Sequence, residues 1–151
     1  MEPKSRASSE EPLIGALLRS CWQTARTRVQ RDLLAAGFGD IGAAHLAVFQ
    51  YPSPRGVRVT TLAERAGMSR QAITYLIREL ERQGYLERHP DPSDRRATLV
   101  HLTQRGEAAV REIRDSVRRL EDDWENELGS DRFAQFRSTL KALAGAAGSA
   151  Q

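Results

Sequence analysis

Four polar side chains between residues 71 and 78 are spaced so that a helix would place them on one face. Gln71 and Arg78 supply hydrogen-bond donors. Thr74 and Tyr75 supply hydroxyl groups, and the acidic residues of the segment lie off this face. Such groups can pair with the donors and acceptors that base edges expose in the major groove of B-DNA. The pattern predicts a DNA-reading helix, and the alternative is an amphipathic helix whose polar face only meets water.

The start of the same segment extends this expectation. Ser69 has the position of a helix N-cap, where its hydroxyl and backbone N–H can meet a phosphate group. Arg70, like Arg78, can pair with phosphate or bidentately with guanine. The opposite face has the spacing of a stripe that packs against a core, and it consists of Ile73, Leu76, Ile77 and Leu80.

A second group of arginines follows in a polar, proline-containing segment. The stretches 85–88 and 97–102 have the composition of strands, so the polar residues 89–96 between them are predicted to form the loop of a hairpin. Arg95 and Arg96 would then lie on that hairpin, where they can reach a narrow minor groove. The alternative for Asp94 and Arg96 is a surface ion pair, which contributes little to stability.

The elements before the reading helix complete a recognisable motif. A short helix at residues 62–66 and a tight turn at Gly67 and Met68 precede it, which is the order of a helix-turn-helix. Thr61 and Glu64 have the spacing of a capping box for the short helix. With the hairpin, this arrangement predicts a winged helix-turn-helix lobe at residues 37–103.

Long helices flank the lobe. Apolar residues recur at helical spacing in a first helix over residues 13–36 and in two C-terminal helices over residues 104–147. These stripes are wide for so small a chain, and exposed apolar patches usually mark interfaces. We therefore predict dimerisation through these helices; the alternative is that they pack entirely within one protomer. The expected interface residues are Leu17, Val117, Leu120, Phe136, Leu140 and Leu143.

The wing carries a family resemblance. Asp94-Arg95-Arg96, followed by Leu102-Thr103-x-x-Gly106, resembles the wing signature of the MarR (multiple antibiotic resistance regulator) family, and the similarity extends over roughly residues 13–143. The resemblance implies a mainly α winged helix-turn-helix fold with a small β-hairpin wing. It also implies a homodimeric transcriptional regulator, expected to be a repressor, on a near-palindromic operator. By family position Arg96 enters the minor groove and Asp94 orients it, which leaves Arg95 to contact phosphate.

The same resemblance implies release of DNA by a small, often aromatic, effector or by an oxidant. An effector would bind between the dimer helices and the DNA-binding lobe. The segments that could line such a pocket contain Trp22, Phe38, His45, Phe49 and Tyr51, and for each of them the alternative is an ordinary core position. Cys21 is a candidate redox sensor, but it lies on the apolar stripe of the first helix, which favours a buried structural thiol.

Composition narrows the remaining classes. The 151 residues carry a net charge of +3 and a single cysteine, which excludes an intramolecular disulfide and fits the cytoplasm. Residues 55–105 hold ten basic against six acidic residues, which fits a polyanion partner; the alternative is a chance scatter of charge. Residues 1–12 are expected to form a disordered arm, and no apolar run is long enough for a membrane helix. We expect no cofactor, metal site or catalytic site. A winged helix that binds protein and a duplex-RNA binder remain rival interpretations.

Overall fold

The computed structural model describes residues 11–50 and 55–148, without the side chains of residues 95 and 146–148. The elements run as α1 (Ile14–Ala35), a 3-10 turn (Ala43–His45), α2 (Leu46–Phe49), β1 (Val57–Arg58), α3 (Val59–Ala66), α4 (Arg70–Arg82), β2 (Leu86–Asp91), β3 (Asp94–Leu102), α5 (Gln104–Leu128) and α6 (Ser130–Gly148). A mainly helical fold with a small antiparallel sheet confirms the predicted class. The expected arm at residues 1–12 lies outside the described residues except for its last two.

The sheet is larger than the predicted hairpin. It has three antiparallel strands in the order β1-β3-β2, and β1 is too short to show an alternating pattern in the sequence. The predicted loop over residues 89–96 is wrong, because β2 and β3 run through most of it and leave Pro92 and Ser93 as the turn between them. Pro90 is tolerated inside β2 because β2 is an edge strand, which needs fewer backbone donors.

The predicted apolar stripe of α4 packs into the centre of the lobe. Its four residues are buried, and Ile73, Ile77 and Leu80 have no measurable exposure. They share one core with residues from α1, α2, α3 and the sheet, and with the fully buried Tyr85 just before β2. Because this face of α4 is fixed inward, the polar face on the other side of the helix points outward.

The turn between α3 and α4 is set by local geometry. Gly67 has a φ of +60°, a left-handed conformation that glycine adopts without steric cost. Ser69 then caps α4, since its Oγ accepts a hydrogen bond from the Ala72 N–H at 3.1 Å. The predicted capping box of Thr61 and Glu64 is wrong: β1 leads directly into α3 at Val59, so Thr61 already lies within the helix.

Asp32 joins α1 to α5. Its carboxylate accepts hydrogen bonds from the buried Ser116 hydroxyl at 2.7 Å and from the Arg119 guanidinium at 3.0 Å. The Ser116 hydrogen bond, followed by the neighbouring arginines Arg119 and Arg31, holds the pKa of Asp32 well below its usual range against the opposing effect of burial. The long helices are therefore anchored to each other by an ionised carboxylate as well as by apolar packing.

Much of the apolar surface of α1 and α6 has no partner within the described chain. Every residue from Glu11 to Thr24 is exposed, and Leu17 keeps 49% of its surface accessible. In α6, Leu140 is 36% and Leu143 62% exposed. The prediction of a buried Cys21 thiol is wrong, because this half of α1 leaves Cys21 exposed.

The predicted interface residues do not all face outward. Val117 is 36% exposed and Phe136 is half-buried. Leu120, in contrast, is only 5% exposed and lies beside α1 of the same chain. Packing inside the protomer already covers most of this side chain, and its assignment to a dimer interface stays a prediction. Across the described residues, no helix combines the length and apolar character needed to cross a bilayer.

Candidate nucleic-acid interface

The outer face of α4 presents the side chains that the sequence singled out. Gln71, Tyr75 and Arg78 are exposed, and Tyr75 keeps 61% of its surface accessible. Thr74 is partly exposed between them. Ser69 and Arg70 are exposed at the N-terminal end of the helix. The structure therefore gathers all six predicted residues of this helix on one accessible surface or at its end.

The two hydroxyls on this face are already engaged. Thr74 Oγ1 donates to the Arg70 backbone carbonyl at 2.6 Å, one turn back along the helix. Tyr75 donates its phenolic O–H to Glu79 Oε1 at 3.1 Å. Glu79 in turn lies 3.2 Å from Nε2 of the buried His45. Glu79 was not among the predicted site residues, because on α4 it lies beside the polar outer face rather than at the centre of that face.

The arginines of the candidate interface differ from most others in the chain. Arg28, Arg58 and Arg105, for example, each pair with an aspartate within 3.0 Å. Within residues 11–50 and 55–148, no ion pair involves Arg70, Arg78 or Arg96, although all three are exposed. Their charge is thus left for an anion outside the described chain, which suits phosphate or the acceptor atoms of guanine.

The wing is organised by a different aspartate from the one predicted. Asp94 Oδ1 accepts a hydrogen bond from the Arg96 backbone N–H at 3.0 Å, so Asp94 does contact Arg96, but through the main chain. The carboxylate that ties the wing to the lobe is Asp91, which is 6% exposed and bonds Arg58 at 2.5 Å. The predicted Arg95 side chain lies outside the described residues.

Asp91 also closes the turn of the wing. Its Oδ1 accepts from the Ser93 hydroxyl at 2.6 Å and from the Ser93 N–H at 2.8 Å. These hydrogen bonds, followed by that of Arg58, lower the pKa of Asp91 to about 2. Sequence reasoning missed this role, and the only signal was the Asp-Pro-Ser-Asp turn composition, which does not say which aspartate faces inward.

We predict that Ser93→Ala raises the pKa of Asp91 toward the ordinary carboxyl value of 3.8. Because the folded-state pKa is depressed, the contribution of the carboxylate to wing stability is present above about pH 4 and is lost as pH falls toward 2. NMR titration of the Asp91 carboxyl carbon should therefore give a higher midpoint in the variant. Ser138→Ala, a change on α6, is the control, and equal midpoints in Ser93→Ala and the wild-type protein would refute this assignment.

The wing connects to α5 through a close backbone contact. Thr103 caps α5 by accepting from the Gly106 N–H at 3.1 Å, and its hydroxyl donates to the Gly84 carbonyl at 2.6 Å. A Cβ atom at position 106 would overlap the backbone carbonyl oxygen of Tyr85. The Leu-Thr-x-x-Gly pattern thus joins α5 to the end of the reading helix and has no direct part in the polar surface.

The candidate effector residues divide into two groups. Phe38 and Phe49 pack on Tyr85 in the core, with ring centroids 6.3 and 6.0 Å away. Trp22 is 51% exposed, and it lines a small cavity of about 110 Å³ together with Phe49 and residues of α1, α2 and α5. His45 is buried between Gly42 and Glu79, and Tyr51 lies outside the described residues. No cluster of potential metal ligands occurs in the part of the chain that the structure describes.

Known proteins resemble this chain in both sequence and structure. The regulator PetP of Rhodobacter capsulatus, an HTH-type transcriptional regulator, is 29% identical over 105 residues, which are 69% of this chain. The matched stretch spans 63% of PetP and about half of two further curated relatives, from Thauera aromatica and Bacillus subtilis.

Solved structures match nearly the whole described fold. The crystal structure of MarR superposes with a TM-score of 0.74 at 26% identity, covering 90% of this chain and 98% of MarR. Streptococcus pneumoniae FabT, solved in complex with DNA, superposes with a TM-score of 0.76 at 19% identity, covering 91% of this chain and 97% of FabT, which is a likeness of fold alone. The MarR family profile matches residues 45–97, from the buried histidine before α2 to the middle of the wing. The chain therefore resembles the MarR family in the fold of the MarR crystal structure and in the sequence of residues 45–97.

Proposed function

We propose that this chain is a transcriptional regulator that binds duplex DNA through the outer face of α4 and through its β2–β3 wing. The observation that carries the proposal is the pair Arg70 and Arg78: both are exposed on one helix, and neither has an ion-pair partner among the described residues. The function is one of binding, with no catalytic step. As a regulator of bacterial genes it would act in the cytoplasm, where the chromosome lies.

The side chains of the reading helix divide naturally between bases and phosphates. Gln71 and Arg78, in mid-face, suit base edges, where glutamine pairs with adenine and arginine with guanine. Ser69 suits phosphate: its Oγ accepts from Ala72, which leaves its hydroxyl hydrogen free to donate outward. On the wing, Arg96 is assigned to the minor groove and Arg95 to phosphate.

The proposed functional unit is a homodimer. Leu17 on α1 and Leu143 on α6 expose apolar surface that the described chain does not cover, and such surface usually belongs to an interface. Residues 13–36 and 104–147 would form the dimerisation region around two lobes at residues 37–103. Two-fold symmetry would set the reading helices about 34–36 Å apart, so the operator is expected to be a near-palindrome.

Regulation by a small aromatic effector is part of the proposal. The cavity beside Trp22 and Phe49 lies where α1 and α5 meet the lobe, and apolar side chains form most of its wall. Its volume of about 110 Å³ in a single chain is below that of a typical ligand pocket, so a second protomer or a movement of Trp22 would have to enlarge it. A repressor that releases its operator on binding such a ligand is the mode that we propose.

If Arg96 enters the minor groove, Arg96→Ala should weaken operator binding by about 1–3 kcal/mol and relax the preference at the base pairs it contacts. Arg95→Ala should instead weaken binding at every sequence and reduce the salt slope by about one unit. Fluorescence anisotropy on specific and scrambled duplexes separates the two effects. An Arg96→Ala protein with wild-type affinity would remove the wing from the interface.

The proposed function itself is tested by DNA affinity as a function of salt. Wild-type protein should bind duplex DNA with an affinity that falls steeply as salt rises, since released counterions drive the binding. Arg70→Ala and Arg78→Ala should lower the affinity, whereas Arg114→Ala, which removes an exposed arginine of α5, should not. Lack of binding to any duplex at low salt would favour the rival interpretation, a winged helix that binds protein.

A further inference from the structure

We infer that Glu79 fixes the direction of the Tyr75 hydroxyl, so that Tyr75 recognises a base amino group, that of adenine or cytosine, in the major groove. This inference rests on the proposed function, because it concerns which bases the outer face of α4 selects. It assigns Tyr75 as a specificity-determining residue and Glu79 as the residue that positions it. Neither role follows from the residue types alone, since a free tyrosine hydroxyl both donates and accepts.

The first step concerns where the hydroxyl hydrogen goes. A hydroxyl has one hydrogen, and Tyr75 directs its own to Glu79 Oε1 at 3.1 Å. Only the lone pairs of the phenolic oxygen then remain for a partner outside the protein. The neighbouring Thr74 hydroxyl on the same face also has only its lone pairs free, because it donates its hydrogen to the Arg70 carbonyl at 2.6 Å.

The second step concerns what keeps Glu79 in place. The Gly42 N–H donates to His45 Nδ1 at 3.0 Å, so the ring hydrogen of His45 lies on Nε2. Nε2 then donates to Glu79 Oε2 at 3.2 Å, with the His45 ring buried. One carboxylate oxygen is thus held by the lobe, which leaves the other to accept from Tyr75. Arg82 approaches that second oxygen at 3.5 Å from solvent.

Electrostatics favours the same arrangement. The hydrogen bond from His45, and after it that from Tyr75, lowers the pKa of Glu79 and keeps it an ionised acceptor. The hydrogen bond to Glu79 raises the pKa of Tyr75, which keeps the phenol protonated and donating. Both groups therefore hold these roles throughout the neutral pH range.

The consequence for recognition follows from the chemistry of DNA. Phosphate oxygens, guanine O6 and thymine O4 are acceptors, and they cannot pair with an oxygen whose hydrogen is already used. The donors of the major groove are the amino groups of adenine N6 and cytosine N4. Tyr75 is thereby excluded from phosphate contacts and directed to base pairs that place an amino group beneath it.

The experiment begins with selection of bound duplexes from a random pool by the wild-type protein and by Tyr75→Phe. Positions whose preference weakens in Tyr75→Phe are those that Tyr75 reads, and they should carry adenine or cytosine in the wild-type motif. N6-methyladenine or N4-methylcytosine is then placed at such a position, which replaces the groove-facing amino hydrogen by a methyl group and keeps base pairing. Wild-type affinity should fall about threefold to tenfold, while Tyr75→Phe should lose little.

Glu79→Gln provides a sharper test because it should exchange the donor and the acceptor in the hydrogen bond between residue 79 and Tyr75. His45 Nε2–H still needs an acceptor, so the amide oxygen turns toward His45 and the amide NH₂ toward Tyr75. The phenol then accepts from Gln and donates outward, and the preference should shift to guanine or thymine. Glu81→Gln, the same change two residues along α4 at a side chain that binds Arg88, should select the wild-type motif.

The outcomes separate this inference from the proposed function. Sequence-specific binding with the same motif for wild-type, Tyr75→Phe and Glu79→Gln proteins would overturn the role of Tyr75 and leave DNA binding intact. Guanine or thymine at the Tyr75 positions of the wild-type motif would also overturn it. Enrichment of no duplex by the folded wild-type protein would overturn both. Methylation of each adenine and cytosine of the wild-type motif in turn needs no variant, so a misfolded variant cannot decide the question.

Discussion

A glutamate at Leu17 or Leu143 is expected to prevent the proposed dimer from forming and to leave a monomer with little affinity for the proposed operator. Both leucines are well exposed in the single chain, at 49% and 62%, so the substitution should leave the protomer folded while placing charge in the interface. A monomer engages one half-site at a time. It therefore loses the gain from linked binding, which is about a hundredfold to ten-thousandfold in affinity.

Light scattering and anisotropy on the same samples measure the two effects together. Leu34→Glu is the matched control, because Leu34 also lies on α1 and is 68% exposed but is not among the expected interface residues. Leu120→Glu is unsuitable, since its buried position would destabilise the protomer itself. If the Leu17 and Leu143 variants both stayed dimeric, the interface would have to lie elsewhere.

A single methyl group at Gly106 is expected to destabilise the fold by about 3 kcal/mol. The added Cβ would overlap the Tyr85 backbone carbonyl oxygen and lie 3.1 Å from Leu102 Cδ2. Tyr85 is fully buried and its carbonyl accepts from the Thr103 N–H at 3.0 Å, so the obstructing atom is held in place. Relief of the overlap requires separation of α5 from the end of α4.

Urea unfolding of Gly106→Ala against wild-type protein gives the free energy of unfolding directly. Gly15→Ala on α1 serves as the control, because a Cβ there meets nothing within 4 Å and alanine favours helix. A Gly106→Ala protein as stable as the control would mean that α5 is free to shift at this contact.

The helical lobe was predictable because its signals are local. The stripe of Ile73, Ile77 and Leu80 repeats at helical period, and Ser69 and Gly67 mark the ends of neighbouring helices by their own backbone preferences. Thr103, which caps the start of α5, and Gly129, which follows its end, are equally local features. Such features need no knowledge of the rest of the chain.

The remaining features depend on contacts between distant residues. Asp91 and Asp94 look alike in the sequence, and only the register of β2 against β3 turns Asp91 toward Arg58. The stripe position of Leu120 gives its face on α5, but it does not say whether α1 of the same chain or a second chain covers that face. Glu79 links His45 to Tyr75, and Glu79 lies 34 positions beyond His45 in the sequence.

Selection of duplexes from a random pool by the wild-type protein would decide whether α4 and the wing together recognise DNA. The proposed geometry predicts a near-palindromic motif with half-site centres about 10 base pairs apart, which is lost in an Arg70→Ala, Arg78→Ala double variant. Failure to enrich any sequence, or enrichment of the same motif by the double variant, would contradict DNA recognition by this surface.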